Sequence, residues 1–126
     1  EVLADYINQE GVGGERRADS ATIQRRMAEL HLDIERTRTL IYSVASAFDA
    51  GQITSLVPFY EAKVAASQTG GRVTSDAMTT GAGTAYSRRL PLERYLRDAR
   101  AGMAMGITDD QALATIGDLL SQRGAL

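Results

Sequence analysis

The stretch SATIQRRMAELHLDIERTRTLIYSVASAFDA, residues Ser20 to Ala50, decides the fold. Its apolar side chains fall at Ile23, Met27, Leu30, Ile34, Ile41, Val44 and Phe48, and Thr37 fills the remaining slot. Spacing of three, then four, keeps one stripe on one face of an α-helix over many turns. Arg25, Arg26, Glu29, Asp33, Arg36 and Arg38 take the other faces. Asp19 or Ser20 is placed to cap the start by accepting an orphan backbone N–H, and Gly51 is placed to stop the helix. Roughly 30 residues at 1.5 Å each make a rod about 45 Å long, well beyond the globular average. Such a helix belongs in an extended bundle.

Working outward, a second helix is expected from Ile53 to about Thr80, carrying Leu56, Tyr60, Val64, Val73, Ala77 and Met78, with Pro58 near its start. Gly70-Gly71 inside it costs about 2 kcal/mol relative to alanine, so either a close helix crossing or a kink is expected there. Gly81-Ala82-Gly83-Thr84-Ala85 reads as a flexible break. Pro91 suits the first position of a third helix running to about Ala104, with Leu92, Tyr95, Leu96 and Ala99 inward and Glu93 near its positive end. Thr108-Asp109-Asp110-Gln111 has capping-box spacing. A last helix follows, with Leu113, Ile116, Leu119 and Leu120, ending around Gly124. Nothing has the period-two alternation of a strand. The expected fold is all-α, an up-down-up-down four-helix bundle forming one domain over residues 1–126. The opening Glu1-Val2-Leu3-Ala4-Asp5-Tyr6-Ile7 is already helix-like and lacks an initiator methionine, so the bundle reads as truncated at its N-terminal helix and as a piece of a longer protein.

The composition narrows the function classes. With 126 residues, 44% apolar and 24% charged, the chain suits a single globular core. A net charge of -2 and a pI near 5.4 argue against binding nucleic acid or an anionic membrane surface. No apolar run approaches a bilayer span and no signal peptide precedes the first helix, so a cytoplasmic location is expected. Cysteine is absent and His31 is the only histidine, which leaves no disulfide, thiolate nucleophile, catalytic triad or multi-histidine metal site. No metal is expected.

Leu90-Pro91-Leu92-Glu93-Arg94-Tyr95-Leu96-Arg97-Asp98-Ala99-Arg100 resembles the "P-x-E-R-x-x-R-D-A-R/K" segment of acyl-CoA dehydrogenases. Reading back, Asp76 through Tyr86 falls on that family's "D-A-x-Q-x-x-G-G-x-G-Y/F" loop. Met27-Ala28-Glu29-Leu30 through Arg38 is similar to its "x-A-E-M/L…R" helix, Tyr42, Ala45 and Asp49 to Gly51 follow the same pattern, and Ala62-Lys63 matches the next helix's "A-K". The resemblance covers nearly the whole chain. It implies the C-terminal bundle of an FAD-dependent acyl-CoA dehydrogenase, following an α-helical domain and a β-barrel. It also implies an acyl-CoA substrate, a homo- or hetero-oligomer (dimer or tetramer) and an electron-transfer-flavoprotein-type acceptor. In such enzymes a glutamate takes the α-proton and flavin N5 the β-hydride, while a neighbouring subunit's bundle covers the adenosine-pyrophosphate half of the flavin. Gly83 and Thr108 are the cofactor-binding residues so implied.

Four departures fall on functional positions. Where the family has "R-x-T-F-G", with its arginine at the flavin pyrophosphate, this chain reads Glu10-Gly11-Val12-Gly13-Gly14, and a carboxylate there repels the diphosphate. The loop glutamine is Thr79, and the loop glycines become Ala82-Gly83 and Ala85. "Y-E-G-T", which supplies the base in many members, reads Met105-Gly106-Ile107-Thr108, so no catalytic residue is expected in this segment. Gly106 has two readings. Some members bring the glutamate from the preceding helix; otherwise the subunit has lost catalysis and is a structural or assembly partner in a heteromer. The combined losses favour the second reading for sites served by this bundle. A third class sharing the bundle is a flavin monooxygenase or nitroalkane-oxidase-like enzyme.

Other residues take plainer readings. His31 is expected on a solvated surface. Met103 and Met105 read as packing residues. Asp109-Asp110 reads as helix-start electrostatics, preferred to a divalent-ion site. Arg16-Arg17 and Arg25-Arg26 are expected to face solvent or pair with nearby acids, with a phosphate contact the alternative. Arg97-Asp98 looks like an intersubunit or interhelix ion pair. Gly11, Gly13 and Gly14 lack the preceding strand and following lysine of a P-loop.

Overall fold

A computed structural model describes residues 1–11 and 13–123. In chain order they form α1 (Val2–Ile7), a 3-10 turn (Arg17–Asp19), α2 (Ala21–Asp49), α3 (Val57–Ala85), α4 (Leu92–Ala101) and α5 (Asp109–Arg123). The all-α expectation holds: the strand-like pairing among the described residues is a single bridge between Glu10 and Arg16. The expected helix end at Gly124 lies outside the described residues, as does Val12.

The central helix is α3, with α1, α2, α4 and α5 packed around it. On α2, contacts step back along the chain as they advance along α3: Phe48 meets Phe59 edge-on at 5.5 Å, the Thr37 and Thr69 hydroxyls bond at 2.8 Å, and Asp33 pairs with Arg72 at 3.0 Å. The two helices are therefore antiparallel. The core gathers Leu3, Ile7, Leu30, Ala77, Met78, Ala85 and Leu92 at one end of this pair. Leu30 of the α2 stripe belongs to it, with Ile23 and Met27 packed alongside, and only part of the stripe is covered at all. Leu30 and Val44 are buried, whereas Ile34, Ile41 and Phe48 are 36%, 39% and 59% exposed. A helix of 29 residues covered on one side by α3 cannot close a stripe that wide.

The helix ends follow local chemistry with some corrections. Past the end of α2, Gly51 at φ 68° donates to the Phe48 carbonyl, and the Gln52 N–H reaches Ala47. Ser20 is the N-cap of α2 but makes no side-chain cap bond, and Asp19 turns instead to Arg16 at 2.7 Å. The second long helix begins at Val57, not Ile53, with Pro58 in its first turn. It runs unbroken through Gly70-Gly71, where a Cβ would stand 3.7 Å from Ala99 and 2.7 Å from the tip of Met103. The glycines thus serve a close crossing with α4. The break expected over five residues is confined to Ala82, at φ 50° and ψ -145°.

Pro91 caps α4 from outside, and α4 ends at Ala101, short of Ala104. Tyr95 is 37% exposed and not inward. On α5 the buried positions are Asp109 and Ala112, with Ile116, Leu119 and Leu120 partly covered; Leu113, expected inward, is 46% exposed. Positions 109, 112, 116 and 119 share one helical face, and the seating of Asp109 sets that register.

Candidate functional site

Two loops beside α3 carry the residues singled out in the sequence. The first is the bend at its carboxyl end. Gly81 is packed so closely that a Cβ would meet the Ala85 Cβ at 2.8 Å and Leu92 at 3.3 Å. Ala82 holds a backbone conformation that belongs to glycine, and this residue makes the bend. Gly83 is exposed, and a Cβ there would meet nothing within 4 Å. The bend is tied down from beneath. The Tyr6 hydroxyl donates to Thr84 Oγ1 at 3.0 Å, and the Arg17 guanidinium donates to the Thr80 carbonyl at 2.9 Å while lying 5.7 Å from the Tyr6 ring centroid. Thr80 is fully buried.

Arg17 is exposed, as expected, yet its guanidinium is also bonded to the chain. Arg16 pairs with Asp19 and Arg25 with Glu29, as expected, but Arg17 reaches across 63 positions to a carbonyl. A guanidinium is suited to this place, because the last carbonyls of a helix concentrate negative charge. No local spacing signals the pairing. Glu10 is exposed, and its backbone pairs with Arg16.

The second loop joins α4 to α5. Thr108 and Gln111 form the expected capping box: the Gln111 N–H donates to Thr108 Oγ1 at 3.2 Å, and the Thr108 N–H to Gln111 Oε1 at 3.2 Å. Asp109, read only as helix-start charge, is buried and bound from α3. Lys63 Nζ stands 2.5 Å from Asp109 Oδ1, and Ser67 Oγ lies 2.7 and 2.8 Å from its two oxygens. Burial pushes the Asp109 carboxyl upward, but the hydrogen bonds from Lys63 and Ser67 and the Lys63 charge outweigh it and hold the pKa below its ordinary value. A carboxylate so engaged is a weaker base than a free aspartate. Asp110 faces solvent, so the adjacent pair converges on no shared point, and the described residues contain no group of three metal-ligating side chains.

The crest of this loop is open. Met105 is 69% exposed, contrary to its reading as a packing residue, whereas Met103 is half-buried over Gly71. Gly106 is exposed at φ 68°, a left-handed conformation in which a glutamate would be strained. Gly83 and Thr108 do not meet. The α3 residue beneath Asp109 is Ser67, and the 16 residues from there to Gly83 span about 24 Å of helix. One copy of the chain therefore holds the two candidate half-sites apart.

The remaining candidates are surface features. His31 is exposed on α2. Arg97 pairs with Glu93 on its own helix at 3.2 Å. No helix among the described residues is long and apolar enough to cross a membrane.

Residues 1–120 match the family described as acyl-CoA dehydrogenase, C-terminal domain. The 3-sulfinopropanoyl-CoA desulfinase of Paraburkholderia xenovorans is 29% identical over 98% of this chain and 32% of its own length. The mitochondrial short/branched chain specific acyl-CoA dehydrogenase of Bos taurus is 30% identical over 92% of this chain and 27% of its own. Among solved structures, butyryl-CoA dehydrogenase from Megasphaera elsdenii superposes with a TM-score of 0.87 at 28% identity, over 94% of this chain and 31% of that one. The chain spans about a third of the length of these relatives.

Proposed function

The chain belongs to the acyl-CoA dehydrogenase family as its C-terminal helical domain, and from that premise we propose that it forms part of an FAD-dependent oxidoreductase acting on acyl-CoA thioesters. The observation that carries this is the match over residues 1–120, joined to a fold shared at a TM-score of 0.87 with a butyryl-CoA dehydrogenase. The proposed reaction is α,β-dehydrogenation. One relative is named as a desulfinase of a CoA thioester, so the thioester is the feature common to the named relatives.

Bound FAD supplies the hydride acceptor. At the bend, the open backbone of Gly83 admits a close approach, and Arg17 places a cation at the same end, which Glu10 does not. Thr108 borders the other half-site through the capped start of α5. Because these half-sites are about 24 Å apart, the reading includes an oligomer of like or unlike subunits, dimer or tetramer, in which different copies contribute to one flavin. An electron-transfer-flavoprotein-type acceptor and a cytoplasmic location complete it.

A second reading is favoured by one observation: Gly106 is left-handed and Asp109 is committed to Lys63 and Ser67, so this segment offers no base at its crest. On that reading the chain is an assembly subunit without its own catalysis. The test is the visible spectrum of the whole protein, purified alone and with its genomic neighbour, before and after anaerobic addition of an acyl-CoA. A yellow protein bleached by the thioester supports the enzyme. A colourless one that binds a homologous flavoprotein chain supports the assembly subunit.

A further inference from the structure

The Lys63–Ser67–Asp109 cluster joins two helices beside the Gly106 crest, and the flavoenzyme reading gives it no role of its own. We infer that these three side chains are positioning residues, which pin the start of α5 to α3 and so set how far the Met105–Ile107 crest stands off the bundle. This rests on the flavoenzyme reading, in which that crest borders the substrate side of the flavin.

Both feet of the loop stand on one face of α3. Lys63 and Ser67 are one helical turn apart and grip Asp109 together. The Asp109 N–H also returns to the Met103 carbonyl at 3.1 Å, closing the segment on itself. At the other foot, Gly102 lies against Ser67, where a Cβ would stand 3.6 Å from the serine Cβ, and Met103 covers Gly71. Ser67 thus touches both feet at once. Its hydroxyl also has helix carbonyls within reach, Lys63 at 3.0 Å and Val64 at 3.1 Å, but the charged acceptor makes the stronger bond.

Simple stabilisation is a poor account of such a cluster. A buried ion pair gives little net stability over an apolar substitute, and its best-attested use is to specify register. Here the register is that of α5, whose face toward α3 begins at Asp109.

The test uses the whole protein carrying this chain, with Ser67→Ala as the mild variant and Asp109→Asn as the stronger one. Amide hydrogen exchange is followed at Met103–Asp109 and, as an internal reference, along the middle of α2. Acyl-CoA titrations of the flavin spectrum and the split between KM and kcat are recorded alongside. Exchange at the loop should rise about tenfold or more in both variants while α2 is unchanged. The apparent thioester affinity should fall several-fold, by about threefold or more, with the flavin retained. Unchanged loop exchange overturns the inference. So does a loosened loop whose flavin spectrum, KM and kcat all match the parent, since the cluster would then be structural only. A parent protein without flavin sinks the flavoenzyme reading instead, and the loop exchange alone then decides whether the cluster anchors the crest.

Discussion

Two ends of one helix hold their loops by different means. Toward the amino end of α3, the loop into α5 is fixed by side chains: a buried carboxylate takes bonds from a lysine and a serine one turn apart. At the carboxyl end, the bend is fixed by backbone shape and close packing, with Ala82 in a glycine conformation and Gly81 wedged against Ala85 and Leu92. A side-chain anchor depends on charge and therefore on pH. A packed bend depends on volume and hardly on pH. Substitutions at the two ends should accordingly differ in size, in sign and in their response to acid.

The largest effect belongs to the anchor. Asp109→Ala strands the Lys63 ammonium, whose side chain is only 23% exposed, and should lower the unfolding free energy by about 2–3 kcal/mol. The same carboxylate predicts a pH signature. Its folded pKa is depressed, so its contribution is fully present above the ordinary aspartate value, about 4, and disappears as pH falls through the lower folded value. The gap between parent and variant in denaturation midpoint should therefore shrink on acidification, and a gap constant with pH would break the contrast.

At the bend, Gly81→Ala brings a methyl within 2.8 Å of the Ala85 Cβ, which has no freedom to move aside, and should cost about 1–2 kcal/mol at all pH values. Gly71→Ala meets only the mobile tip of Met103, and alanine's advantage in a helix, about 1 kcal/mol, should offset most of that crowding. Equal losses from the two substitutions, read from unfolding curves, would contradict the packing described. Ala82→Gly should move the other way. Relief of the φ 50° backbone should raise stability by about 0.5–1 kcal/mol. Smallest of all, Arg25→Gln removes an exposed pair with Glu29 and should leave the unfolding midpoint where it was.

Much of the fold was legible in the chain because its signals are local. The three-four spacing of α2, the Gly51 stop and the Thr108–Gln111 box all involve residues within a turn or two of each other. The Gly70-Gly71 pair announced a close crossing or a kink, and the presence of Ala99 and Met103 decided for the crossing. The inward assignments of Tyr95 and Leu113 failed where a partner helix selected one face from several apolar residues. At the candidate sites, the motif positions of Gly83, Thr108 and Gly106 could be read in order, but the roles of Asp109 and Arg17 could not.

From the sequence alone came the helix content, most helix ends, the family resemblance and the departures at Glu10, Thr79, Ala82 and Gly106. Those properties depend on residue type and on neighbours a few positions away. Only the tertiary structure decided that Asp109 is buried against Ser67 and Lys63, 42 and 46 positions off, and that Arg17 serves a carbonyl 63 positions away. It also decided that Gly83 and Thr108 lie at different places along α3. Such outcomes depend on which surfaces meet when the helices pack, and a charged side chain carries no local mark of whether its partner will be water or a residue from a distant turn.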